Sequence, residues 1–147
     1  MVVIGADHGG FSHKEAVVKH LRSLGYEVVD VGTKSADSVD YPDFAKLVCE
    51  KVQADPDNSV GILICGTGIG MSMAANKFKG IRAALCHDEY TTRMAREHNN
   101  ANVLCMGGRV LSEETAVKLA ELFLKTPFSG EERHNRRIGK VDSFLQC

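Results

Sequence analysis

Short apolar runs at Val2–Ile4, Glu27–Val31, Val60–Cys65, Ile81–Cys86 and Asn102–Met106 alternate with segments whose apolar residues return every three or four positions. The runs read as strands and the intervening segments as helices. Five strands separated by helices constrain the chain to an α/β sandwich with a five-stranded, mostly parallel sheet, because parallel neighbours need a long crossover. Right-handed crossovers place helices on both faces, giving three layers. With 147 residues, the chain has room for a single domain, 1–147, that buries one core without disulfides.

Local signals mark the element ends. Ser12 to Glu15 has the capping-box spacing, with Ala16, Val17, Leu21 and Leu24 following at helical intervals and Gly25 as a stop. Pro42 suits the first turn of a helix that carries Phe44, Ala45, Val48 and Val52 inward, and Asp55 to Asn58 ends it. The turn from Gly66 to Gly70 leads into a helix running to about Lys77, and Asp88 to His98 reads as another. Ser112 caps a helix with Ala116, Leu119, Ala120, Phe123 and Leu124 on one face, and a basic helix follows Gly130.

Composition narrows the function. Apolar residues make up 44% and charged residues 25%, with a formal net charge of −1. Such a balance gives no global field for nucleic acid or an anionic membrane. The uncharged stretch from Asn58 to Asn76 has membrane-span length but is broken by Gly61, Gly66, Gly68 and Gly70, so a strand, a turn and a helix are expected. The amino-terminal residues lack a basic leader and reach Asp7 early, so no signal peptide is expected. Five cysteines without a C-x-x-C pair point to reduced thiols and a cytoplasmic location. Cys49 and Cys105 read as packing residues and Cys147 as merely terminal. Paired Cys/His spacings are absent, so neither a metal nor a cofactor is expected.

Ligands of parallel α/β sheets bind beyond the carboxyl ends of the strands. Asp7 and His8, Cys65 to Gly68, Cys86 to Asp88, and Gly107 to Arg109 are expected to share that rim. Gly66, Thr67, Gly68, Ile69 and Gly70 let backbone N–H groups converge at a helix start, which suits a phosphate or a developing oxyanion. The same residues also suit a tight turn without a ligand. A P-loop is excluded because no Gly-Lys-Ser/Thr occurs, and a dinucleotide fingerprint is broken at Met71. Asp88 keeps a nucleotide reading open, being placed where a ribose-binding acid belongs.

Cys65 at the mouth of the turn is either a thiolate poised as base or nucleophile or a small core residue. Cys86 beside His87 is a rival, weakened because strand neighbours point to opposite faces. His98 near a helix end is either a dipole partner or an acid–base group. Asp7 and His8 fit turn and cap roles as well as binding ones. Arg133 and Arg137, four apart on a helix, present two guanidiniums suited to a phosphate dianion or to solvent. No aromatic residues interleave with them to favour nucleic acid.

Taken together, segments 5–10 (GADHGG), 39–43 (VDYPD), 65–77 (CGTGIGMSMAANK), 96–104 (REHNNANVL), 107–109 (GGR) and 133–137 (RHNRR) resemble the ribose-5-phosphate isomerase B family, which includes galactose-6-phosphate isomerase subunits. The resemblance implies a Rossmann-like fold and a cofactor- and metal-free aldose–ketose isomerase of phosphorylated sugars. It implies a homodimer or tetramer with active sites shared between subunits. By this resemblance Cys65 is the base that moves a proton between C1 and C2, and Thr67 and the 66–70 turn hold the enediolate oxygens. His98 opens the furanose ring, Asp7 and Asn99 bind sugar hydroxyls, and Tyr41 lies near the sugar. His8, Arg109, Arg133 and Arg137 take the phosphate. No acid lies between 66 and 76, which places the chain with the members that use a thiol base. Asn100 stands where the family pattern leads one to expect Asp. Ribose 5-phosphate and ribulose 5-phosphate are the expected pair. The alternatives are a six-carbon sugar phosphate, such as allose 6-phosphate or galactose 6-phosphate, or a non-catalytic binding module for a sugar phosphate or nucleotide.

Overall fold

The computed structural model describes residues 1–145, so Cys147 lies outside the described residues. Five strands, β1 (Val2–Ala6), β2 (Val28–Asp30), β3 (Val60–Cys65), β4 (Ala83–Leu85) and β5 (Val103–Gly107), form one sheet in the order β2-β1-β3-β5-β4. Every pairing is parallel, with Ile4 opposite Ile62 and Leu63 opposite Cys105 in the central registers. The three inner strands are buried almost throughout, which is why they read as unbroken apolar runs.

Among the described residues six helices accompany the sheet: α1 (Phe11–Ser23), α2 (Tyr41–Ala54), α3 (Ile69–Ala75), α4 (Glu89–Glu97), α5 (Glu113–Lys125) and α6 (Glu132–Asp142). One core layer joins Val17, Leu21, Ala95, Leu119 and Phe123 to Ile4, Ile62 and Leu104. The opposite layer joins Ala45, Val48, Val52, Met71 and Ala75 to Val3, Leu63 and Val103. Thus α1, α4 and α5 cover one face and α2 and α3 the other. Crossovers toward the β4 edge pass over the α2–α3 face and those toward the β2 edge over the α1–α4 face, as a single hand requires. Uncharged residues 58–76 contribute β3, a turn and α3, and no helix among the described residues is long and apolar enough to cross a membrane.

Several local expectations give way to tertiary partners. Ser12 does not cap α1, whose N-cap is Gly10; its hydroxyl donates to Glu113 at the start of α5. Glu15 pairs with Lys14 instead of reaching back. Lys14 is 1% exposed and occupies the inner face, whereas Leu24 is exposed at the helix end. The Lys14 ammonium is 2.6 Å from an Asp30 oxygen, so the buried cation is paired and ties α1 to the end of β2. Strand β4 is shorter than the apolar run suggests and lies at the sheet edge.

Glycines let three turns touch at the carboxyl edge. A Cβ at Gly10 would lie 2.3 Å from the Ile64 carbonyl oxygen, and one at Gly108 would lie 2.4 Å from that of Gly9. Neither backbone oxygen belongs to a side chain that can rotate away. Gly10→Ala is therefore expected to destabilise the fold by about 1–3 kcal/mol, the cost of overpacking, read as a lower denaturant midpoint at unchanged slope.

Candidate active site

The connection to β2 leaves β1 in one direction and β3 lies on the other side, so the crevice between their carboxyl ends is the topological switch point. Asp7 follows β1 there, and Cys65 ends β3. The Asp7 carboxylate accepts from Gly9 N–H at 2.8 Å, and a Cβ at Gly9 would lie 2.9 Å from Gly66 nitrogen. The Asp7 and Cys65 turns are thereby in backbone contact.

Cys65 is 4% exposed, and its Sγ accepts from the Gly68 N–H at 3.1 Å. Gly68 adopts a left-handed φ of 78° beneath Leu85 and against Met106, where a Cβ would approach within 2.6 Å of Leu85. The Thr67 hydroxyl oxygen accepts from Ile69 N–H at 3.3 Å, which leaves its proton available to an incoming oxygen. Ser72 N–H makes the first backbone bond of α3, to Gly68 oxygen, so Gly70 and Met71 N–H groups lack intrahelical acceptors. Tyr41, at the start of α2, lays its ring over Gly70, where a Cβ would lie 2.5 Å from the ring. Arg109 crosses Gly66, with Nη1 3.1 Å from where a Cβ would be. His8 is held through Nδ1, which accepts from Val39 N–H at 3.2 Å, leaving Nε2 for a ligand.

Asp7, His8, Tyr41, the 66–70 turn and Arg109 therefore gather around Cys65. His98, Asn99, Arg133 and Arg137 do not. Helix α4 starts at the carboxyl edge, where Asp88 caps it, and runs back to end at His98 beside the amino ends of β4 and β5. There Arg82 donates through Nε to Asn99 oxygen at 3.1 Å and through Nη2 to Asn100 oxygen at 2.9 Å. Asn100 has a φ of 43°, a left-handed conformation that Asn and Asp tolerate better than other side-chain-bearing residues. That shared tolerance explains why Asn stands where Asp was expected. Arg137, on α6, lines a cleft of about 460 Å³ with Asn99 and Arg82. Arg133 contacts Glu131, and His134 of the same helix stacks against His98.

The remaining candidates resolve into structural roles. Asp88 accepts from Thr91 N–H at 2.7 Å as the α4 cap, and this bond holds its carboxyl below the usual range. Its Oδ1 is thereby committed to capping the helix. Cys86 packs in the core rather than facing the rim. Burial raises the Cys86 and Cys105 thiols above their usual range and pushes Cys49 up to about 12. These three are protonated at neutral pH. Arg82, Ser129 and the pairing of His98 with His134 leave little trace in the sequence, since their partners are distant in the chain or separated by a turn. The only signal was the basic-rich RHNRR segment.

Residues 2–141 match the family profile described as Ribose/Galactose Isomerase. The chain belongs to this family. Ribose-5-phosphate isomerase B of Escherichia coli is 42% identical over 145 residues, covering 99% of this chain and 96% of that protein. The Clostridium thermocellum ribose-5-phosphate isomerase B structure superposes with a TM-score of 0.93 at 47% identity, covering 97% of this chain and 95% of the other. The Mycoplasma genitalium enzyme, solved with bound ribulose 5-phosphate, gives a TM-score of 0.94 at 46% identity, covering 97% of this chain and 94% of the other. Within the ribose/galactose isomerase family these likenesses run along nearly the whole chain and include the three-layer α/β/α arrangement.

Proposed function

We propose that the protein is an aldose–ketose isomerase that interconverts ribose 5-phosphate and ribulose 5-phosphate, with residues 1–147 as one isomerase domain. The carrying observation is Cys65 Sγ seated at the switch point beneath Gly68 N–H, ringed by anion-binding groups. The ligand of the Mycoplasma genitalium relative supports the choice of substrate.

The Cys65 thiolate takes the C2 proton of the open-chain aldose. The electron pair left at C2 forms the C1–C2 double bond, and the carbonyl pair moves to O1. Thr67 and the 66–70 turn stabilise that developing charge, most effectively with water excluded. The hydroxyl proton on O2 moves to O1, and Cys65 returns its proton to C1, giving the ketose with no net proton change. Asp7 and Asn99 bind sugar hydroxyls, Tyr41 closes the sugar side, and His98 opens the furanose. His8, Arg109, Arg133 and Arg137 neutralise the phosphate.

This assignment needs two copies of the chain, because the His98 cluster lies at the opposite end of the sheet from Cys65. A two-fold homodimer places the cluster of one subunit over the rim of its partner and completes two sites at once. The exposed apolar side chains Ile69, Met73, Leu85 and Val141, on α3, β4 and α6, support such an interface. Four buried, unpaired cysteines among the described residues support a reducing, cytoplasmic setting.

Proton NMR of ribose 5-phosphate with the protein in D2O provides the test. Ribulose 5-phosphate carrying deuterium at C1 is the expected product. Turnover of allose 6-phosphate or galactose 6-phosphate in preference to ribose 5-phosphate would replace the substrate. Saturable binding without conversion of any of them would reduce the site to a binding module.

A further inference from the structure

His98 is exposed at the end of α4, and the ring beneath it belongs to another imidazole. His134 is 3% exposed, with its ring centroid 4.2 Å from that of His98 and the planes 31° apart. An apolar ring would serve for packing alone, and a buried polar ring carries a cost unless its nitrogens are satisfied. Here Nδ1 of His134 lies 2.7 Å from the Ser129 hydroxyl. That hydroxyl accepts from Glu131 N–H at 3.2 Å, which leaves its own proton to donate to His134. Ser129 N–H in turn donates to the Glu97 carbonyl at 3.1 Å, immediately before His98. Ser129 therefore locks the loop before α6 to the last turn of α4 and orients the ring on which His98 rests.

We propose that His134 is a positioning residue for His98, fixing the ring plane from which His98 delivers a proton to the ring oxygen of the cyclic sugar phosphate. The inference rests on the ring-opening role proposed above for His98. In that step O4 takes the proton, the C1–O4 bond breaks and C1=O1 forms. The proton lost from O1 restores the imidazolium, so protons balance. Charge arrangement supports the geometry. Burial lowers the His134 pKa, the neighbouring His98, Arg133 and Arg137 lower it further, and only Glu131 opposes them. His134 is thereby favoured in its neutral form beneath His98.

Ring opening separates from proton transfer experimentally, because ribulose 5-phosphate is already open-chain. His134→Ala is expected to slow conversion of ribose 5-phosphate by about tenfold or more, the scale of a misplaced catalytic group. The same variant is expected to exchange the C1 proton of ribulose 5-phosphate with D2O within about twofold of the parent rate, since the Cys65 step is intact. Ser129→Ala, which keeps the buried ring, is expected to show the same split and keeps the test open should His134→Ala fail to fold. Equal loss of conversion and exchange in both variants, or no loss in either, would overturn the proposal. His98→Asn serves as the control. If it retains full conversion, the ring-opening role itself fails, and the inference with it. If it loses conversion but keeps exchange while the His134 and Ser129 variants match the parent, only the positioning role fails.

Discussion

Cys65→Ala is expected to lower ribose 5-phosphate turnover by about a thousandfold, the middle of the range for removing a positioned acid–base group. Solvent exchange at C1 of ribulose 5-phosphate should fall in parallel, because both events need the same base. The other described cysteines offer no substitute. Cys49, Cys86 and Cys105 are buried, and their raised pKa values keep them protonated at neutral pH. The fold should survive, because the Cys65 side chain is small and its one hydrogen bond is the Gly68 N–H. Steady-state kinetics and a thermal unfolding curve on the same preparation separate the two effects. Undiminished turnover in the folded variant would remove Cys65 from the mechanism and leave the turn as an anion cradle only.

Mixing two inactive variants tests whether the site is shared. Cys65→Ala damages the rim at the carboxyl end of the sheet, and Arg137→Ala damages the cluster at the other end. In a homodimer whose sites each draw on both subunits, a mixed dimer has one site with both defects and one with neither. Random exchange of subunits should therefore restore about a quarter of the native activity from two preparations that are each nearly inactive. A site built within one chain predicts no recovery, because each subunit would keep its own defect. The measurement needs only co-refolding or co-expression followed by the isomerase assay. Absence of recovery, with mixed dimers demonstrated by mass, would overturn the shared site.

Elements with short-range causes were legible in the sequence. The apolar runs of β1, β3 and β5, the Ser112 cap that accepts from Thr115 N–H at 3.1 Å, and the Gly25 stop with its φ of 91° depend on residues close in the chain. The turn at 66–70 was legible for the same reason: its glycines and the Cys65 thiol meet within one strand–helix connection. Lys14 was not legible as a buried residue, because the Asp30 carboxylate that makes its burial tolerable comes from the end of β2, a separate element. Ser12 had the right spacing for a cap, but Glu113 competes for its hydroxyl across the helix pair. Strand order was equally hidden. Placing β5 between β3 and β4 is a choice among pairings that share the same apolar pattern. That choice puts β4 at the edge and lets α4 carry His98 away from Cys65. The residues with chemical potential were thus written in the chain. Their division between the two ends of the sheet was decided by tertiary structure, because packing sets where a helix of given length and direction delivers its last residue.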